Sequence, residues 1–211
     1  IMGMPVKLLE PAGEWYKVQT PDDYISFVPA NSLALKSEKE LAEWRKAKRM
    51  IVTVGNTVLL SQPGSGETVS DLVLGNILEY KGKKGNWLHV ATPDGREGYV
   101  NSNQMEDFEK WSKQAFDADV IINTAKGMTG SGYLWGGTST KLTDCSGLVK
   151  VSYFANAIIL QRDASQQALT GLRINAADWK ESAKKGDLLF WGTKSGRVTH
   201  VGLYIGDGRY I

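Results

Sequence analysis

Gly13-Glu14-Trp15-Tyr16-Lys17-Val18-Gln19-Thr20-Pro21-Asp22 returns 72 residues later, from Gly13 to Gly85, as Gly85-Asn86-Trp87-Leu88-His89-Val90-Ala91-Thr92-Pro93-Asp94. The match runs on through Phe27-Val28 against Tyr99-Val100 and Asn31 against Asn103. A chain that repeats itself at a fixed period is expected to fold the same module twice. Each copy reads as a short strand around the Trp, a Pro-Asp turn, and a second strand ending in an aromatic-Val pair. The second copy has an additional strand, Asn56-Thr57-Val58-Leu59-Leu60, before Gly75-Asn76-Ile77-Leu78-Glu79-Tyr80. No equivalent precedes Gly3, so the first module is expected to begin upstream of Ile1; a missing strand leaves an edge that invites pairing.

The Gly-x-Trp hairpin and the aromatic-Val strand resemble those of bacterial SH3-like domains, which are small β-barrels. Between the copies, Ser37-Glu38-Lys39-Glu40 opens a run of strong helix formers with a capping-box spacing. Its charges read as a solvated helix face, with partner binding as the alternative. The expected division is an SH3-like domain over 1–36, a linker helix over 37–50, a second SH3-like domain over 51–106, and a last domain over 107–211. Phe108, Trp111, Ala115, Phe116, Ile121 and Ile122 suggest one amphipathic helix opening that last domain.

Composition limits the functional classes. The 211 residues are 42% hydrophobic, enough for one to three compact cores. A formal charge of +2 and the lack of a dense Lys/Arg block argue against nucleic acid. No run of 18 apolar residues exists, so no membrane span is expected. The start, Ile1-Met2-Gly3-Met4-Pro5, has neither the charged nor the apolar region of a signal peptide.

Cys145 is the only cysteine, which excludes a disulfide framework and a multi-cysteine metal site. It lies where the Gly-rich run Tyr133-Leu134-Trp135-Gly136-Gly137 gives way to the apolar pattern of Leu148, Val149, Val151, Tyr153 and Phe154. That pattern predicts a helix with the sulfur in its first turn, where unpaired N–H groups and the macrodipole favour an anion. Cys145 is therefore either a thiolate nucleophile or a buried small hydrophobe. Two histidines could serve it as base. His89 reads as a solvent-facing strand residue. His200 sits in Val198-Thr199-His200-Val201-Gly202-Leu203-Tyr204-Ile205-Gly206, a strand closed by a tight Asp207-Gly208 turn of type I′. Alone, His200 would be structural or a plain surface residue; paired with a unique Cys it becomes the candidate partner.

Tyr133-Leu134-Trp135-Gly136-Gly137, Asp144-Cys145-Ser146-Gly147, Gly186-Asp187-Leu188-Leu189-Phe190-Trp191 and His200 through Gly206 resemble, in this order, the successive signatures of the NlpC-type cell-wall cysteine peptidases. The resemblance covers about residues 107–211. It implies an α+β chain with a papain-like catalytic domain preceded by two small SH3-like β-barrels, acting on murein (peptidoglycan) peptides without metal or cofactor. It implies Cys145 as nucleophile and His200 as its partner. A third, polar residue, a histidine following Tyr210-Ile211 and hence beyond the printed chain, would orient the imidazole. Tyr133 would lend its hydroxyl to the oxyanion, or else be a core aromatic stacked beside Trp135.

In the branch with paired SH3-like domains, the γ-D-glutamyl-L-diamino acid endopeptidases, the resemblance carries substrate contacts to Asp144, Ser146, Asp163 and Tyr133. Carboxylates near a reaction centre need a cation, and a free N-terminal ammonium supplies one. The alternative for Asp163 is a cap on the short helix after it. Trp135 belongs to the same candidate surface, and Glu14 and Tyr24 of the first SH3-like copy would wall off its far end. Three readings stand at this point: a cysteine endopeptidase cutting the γ-D-glutamyl to diamino acid bond, a thiol-dependent amidase or acyltransferase on the same fold, and a wall-binding protein with an inert catalytic domain. A wall target favours a periplasmic or secreted location, and recycling of released peptides a cytoplasmic one. Oligomeric state is not readable.

Overall fold

The computed structural model describes residues 1–175 and 177–211. It divides into two compact units, Ile1–Lys113 and Gln114–Ile211. In the first, β1 (Lys7–Ala12), β2 (Trp15–Gln19) and β3 (Ile25–Pro29) form an antiparallel sheet in that order. Helix α1 (Glu38–Lys46) follows, and its capping box is complete: the Glu40 N–H donates to Ser37 Oγ at 3.3 Å and the Ser37 N–H to the Glu40 carboxylate at 2.8 Å. The helix is shorter than the 37–50 linker, because strand β4 (Arg49–Val52) already begins inside that range.

Strands β5 (Asn56–Gln62), β6 (Ser65–Val73), β7 (Ile77–Lys84), β8 (Trp87–Ala91), β9 (Glu97–Asn101) and β10 (Met105–Asp107) join β4 in a seven-stranded sheet, ordered β10-β4-β7-β8-β9-β5-β6. The two sheets fit the small SH3-like modules expected, and both are open among the described residues, the first with the free edge expected of an incomplete copy. In the larger sheet β10 and β6 remain at the two ends, and the smaller has no counterpart of β5 and β6 to continue it.

The repeat is kept position by position. β2 and β8 begin at Trp15 and Trp87, β3 and β9 at Ile25 and Glu97, and 3-10 turns follow at Ala30–Ser32 and Ser102–Gln104. Gly13 and Gly85 take the same left-handed backbone at the hairpin, with φ +64° and +57°. Thr20 donates to the carboxylate of Asp22 and to the carbonyl of Tyr24, as Thr92 does to Asp94 and Arg96. One position differs in kind: Asp23 has φ +61° where the second copy places Gly95 at +88°. Leu88, Val90 and Val100 are buried against Leu59 and Leu72 of β5 and β6, each such side chain contributing about 1.5–3 kcal/mol.

The single helix expected after Met105 is two. Asp107 caps α2 (Phe108–Ser112), accepting from the N–H groups of Glu109 and Lys110. Asp117 then starts α3 (Ala118–Gly127) by accepting from Asp119 and Val120. A second Asp cap restarts the helix, so the apolar periodicity ran across a break.

In the second unit α3 is followed by the short parallel pair β11 (Gly132–Tyr133) and β12 (Leu142–Thr143), then α4 (Cys145–Phe154), α5 (Ala164–Gln167) and α6 (Trp179–Ser182). Strands β13 (Leu188–Gly192), β14 (Val198–Gly206) and β15 (Arg209–Tyr210) form an antiparallel sheet in that order. Ile121, Ile122 and Ala125 of α3, Val149 of α4, Ala164 of α5, and Val201 and Leu203 of β14 make its core. The β14–β15 turn has positive φ at both Asp207 (+53°) and Gly208 (+69°), the type I′ signature.

Candidate active site

Cys145 is the first residue of α4, half-buried and packed on the core cluster that contains Val149 and Val201. The start of this helix is built by close backbone approach. A Cβ on Gly147 would stand 2.0 Å from the carbonyl oxygen of Gly137, and one on Gly137 would stand 2.8 Å from that of Leu142. Gly147 is therefore a steric requirement for laying the 133–137 loop against the first turn of α4, and Gly137 one for the approach of that loop to Leu142.

Asp144 is the N-cap. Its Oδ1 accepts from the Gly147 N–H at 2.7 Å and the Ser146 hydroxyl at 3.1 Å, and its Oδ2 from the Gly136 N–H at 2.9 Å. Arg162 completes the group, with Nη2 2.8 Å from Oδ2 and Nη1 3.3 Å from Oδ1, while Nη1 also donates to Ser146 Oγ at 2.9 Å. The pair is buried, with side chains 14% (Arg162) and 9% (Asp144) exposed. Burial alone would raise the Asp144 pKa; hydrogen bonds from Arg162, Gly147 and Gly136 and the guanidinium charge outweigh it and hold the carboxyl below its usual range. Gln167, buried beneath, donates from Nε2 to the Ser146 carbonyl at 3.1 Å and to the Gln161 carbonyl at 2.9 Å.

Arg162 is the functional residue that sequence reasoning left without a role. Carboxylates near a reaction centre need a cation, and for Asp144 the chain supplies one itself. Asp144 and Ser146, expected to meet a substrate ammonium, have an internal partner in this structure.

Tyr133 is 67% and Trp135 86% exposed, so neither is the stacked core aromatic of the alternative reading. The Tyr133 hydroxyl is pushed up in pKa by partial desolvation and then by the negative charges at Cys145 and Asp144, with Arg162 pulling the other way. Both charges belong to the first turn of α4 and its cap. Asp163 is the N-cap of α5; its N–H donates to Gln166 Oε1 at 3.0 Å and its carbonyl accepts from Gln166 and Gln167.

His200 lies on β14 opposite Trp191, with ring centroids 5.5 Å apart, and is exposed. Its neighbour Val201 belongs to the cluster on which Cys145 packs. Among the described residues no hydrogen bond joins Cys145 to His200. Tyr210 rests on the same indole at 4.9 Å, and Ile211 pairs with Leu203 through hydrogen bonds of 2.8 and 3.0 Å, so the chain after the turn runs back along the histidine strand. His89, by contrast, stacks on Tyr99 at 4.9 Å and meets Glu97 at 2.9 Å within the seven-stranded sheet. Glu14 lies in the turn before β2 and Tyr24 in the turn after it, at opposite ends of that strand in the first unit. No cluster of three or more His, Cys, Asp or Glu suited to a metal occurs among the described residues.

Residues 130–211 match the family model described as NlpC/P60 family. Over its whole length the chain is 28% identical to a gamma-D-glutamyl-L-lysine dipeptidyl-peptidase of Bacillus cereus, of which it spans 65%, or about two thirds. It is 27% identical to dipeptidyl-peptidase 6 of Lysinibacillus sphaericus, spanning 77% of that protein. The crystal structure of an NlpC/P60 family protein from Bacillus cereus superposes on the entire chain with a TM-score of 0.86 at 26% identity, the match covering 70% of that protein. Family model, whole-chain relatives and fold agree with the motif order around Cys145, and residues 130–211 are an NlpC/P60 domain.

Proposed function

We propose that this chain is a cysteine peptidase that hydrolyses the γ-D-glutamyl to L-diamino acid bond of murein peptides bearing a free N-terminal L-Ala. The observation that carries the reading is Cys145 at the first position of α4, with Asp144 taking the Gly147 N–H. Among the described residues the N–H groups of Cys145 and Ser146 donate to no acceptor, which leaves two first-turn donors for an oxyanion. The names of the whole-chain relatives support the substrate class.

In this scheme the Cys145 thiolate attacks the carbonyl carbon of the γ-glutamyl bond. The negative charge moving onto the carbonyl oxygen is met by the first-turn N–H groups and the Tyr133 hydroxyl. His200 protonates the departing α-amine of the diamino acid, the C–N bond breaks, and a thioester remains. Water, deprotonated by His200, then releases the peptide acid and restores the thiol. The substrate ammonium is met by Asp163, which has no ion pair among the described residues, with Trp135 offering an apolar wall. No described helix is long and apolar enough to cross a membrane; a wall substrate supports a periplasmic or secreted location, and released wall peptides a cytoplasmic one.

The test is incubation with L-Ala-γ-D-Glu-L-Lys and the corresponding diaminopimelate peptide, with products identified by mass spectrometry. Release of the free diamino acid, abolished in Cys145→Ala, is the expected result. Turnover that survives Cys145→Ala, or cleavage at another bond, overturns it.

A further inference from the structure

We propose that Arg162 is a positioning residue for the nucleophile, acting through the two residues that flank Cys145; the proposal rests on Cys145 being the nucleophile. One guanidinium reaches both sides of the sulfur. It bonds the Asp144 carboxylate through Nη1 and Nη2 and the Ser146 hydroxyl through Nη1. A planar fork of fixed donors can hold two acceptors in one geometry, where an ammonium is a point charge. Arg162 Nη2 also lies 3.5 Å from the Gly137 carbonyl, and Asp144 in turn holds the Gly136 N–H. The loop that carries Tyr133 and Trp135 is thus fastened to the same group.

Gln167 adds a second hold, on the backbone. Its Nε2 bridges the Ser146 and Gln161 carbonyls, and its side chain is fully buried. Both prongs come from the segment Leu160–Gln167, outside α4, so the orientation of the first turn of α4 is set by residues that do not themselves carry the thiol. The pairing also neutralises the carboxylate nearest the sulfur. Loss of Arg162 would leave a negative charge beside a group that must itself become negative.

Because the chain has one cysteine, alkylation by iodoacetamide reports Cys145 alone. The pH profile of its alkylation and the kcat and KM for L-Ala-γ-D-Glu-L-Lys are measured in wild type, Arg162→Lys, Arg162→Met and Gln167→Met. Displacing a reacting group by about an ångström costs on the order of 100-fold, so Arg162→Met is expected to lose kcat on that scale with KM nearly unchanged. Its alkylation midpoint moves to higher pH, and Arg162→Lys, which keeps the charge and loses the fork, falls between. Gln167→Met is expected to lower kcat by about fivefold without moving the midpoint, since no charge changes.

A folded Arg162→Met with wild-type kcat and alkylation profile overturns the proposal. Should Arg162→Met fail to give a cooperative melt, Arg162→Lys and Gln167→Met decide it, and wild-type behaviour in both overturns it. If wild type cleaves neither peptide, the peptidase reading falls, while the alkylation profiles of the same variants still judge the positioning role.

Discussion

Asp144 and Arg162, 18 residues apart in sequence, meet through two hydrogen bonds of 2.8 and 3.3 Å, one to each carboxylate oxygen. The carboxylate is at the same time the helix cap, so one side chain both starts α4 and anchors the segment that follows it.

Removing one partner leaves a buried charge unmatched, which typically costs about 3–5 kcal/mol. Arg162→Met is expected to lose roughly that much in urea denaturation at neutral pH. The folded pKa of Asp144 is depressed, so its contribution is fully present above the unfolded carboxyl pKa, about 3.9, and is lost as pH falls through the lower folded value. Stability measured between about pH 5 and 2 should therefore fall less steeply in Asp144→Asn than in wild type.

At the other extreme of pH, Tyr153 gives the opposite sign. Burial, helped by the charge of Asp187, raises its pKa to about 12, and its hydroxyl donates to the Gly186 carbonyl. The unfolded chain loses this proton near pH 10, the folded chain two units later, so stability declines from about pH 10 to 12 by up to roughly 2–3 kcal/mol. Tyr153→Phe should flatten that alkaline limb in guanidinium titrations while costing about 1 kcal/mol at neutral pH for the lost hydrogen bond.

Gly147 has no room for a methyl group, since a Cβ would lie 2.0 Å from a backbone oxygen of the neighbouring loop. Gly147→Ala is expected to destabilise the second unit by at least about 3 kcal/mol, at the upper end for overpacking, because backbone and not a flexible side chain must yield. Loss of the cooperative thermal transition of that unit, with the seven-stranded sheet retained, would be seen by circular dichroism on limited-proteolysis fragments. A wild-type melt would contradict the close approach.

N-acetylation of the tripeptide removes the ammonium assigned to Asp163. A charge-assisted hydrogen bond is worth about 1.5–3 kcal/mol, so kcat/KM for the acetylated peptide should drop by roughly 10- to 150-fold. Asp163→Asn should narrow that gap by slowing the free peptide alone. Equal turnover of the two peptides by wild type would remove the ammonium site.

Much of this molecule could be read from local rules. The repeat fixed the register of β2, β3, β8 and β9 and both hairpin glycines, because turn chemistry and strand alternation act over a few residues. The helix start at Cys145 and the Asp207-Gly208 turn were legible for the same reason. What escaped was long-range or competitive. The Arg162 clamp requires knowing that α5 returns to the start of α4. The break between α2 and α3 was hidden because Ala115 and Phe116 continue the apolar rhythm while Asp117 caps a new helix. The exposure of Tyr133 and Trp135 could not be told from packing, since aromatic residues beside a Gly-rich loop suit either.

The shared backbone of the two repeats makes them interchangeable parts. With hairpin glycine, threonine-aspartate turn and 3-10 turn all falling at one offset, the loop holding Tyr24 can be transplanted onto the frame holding Arg96, and the reverse, without altering strand length. Each module then serves as the other's blank, in which the contribution of a single divergent side chain is separated from that of the scaffold beneath it.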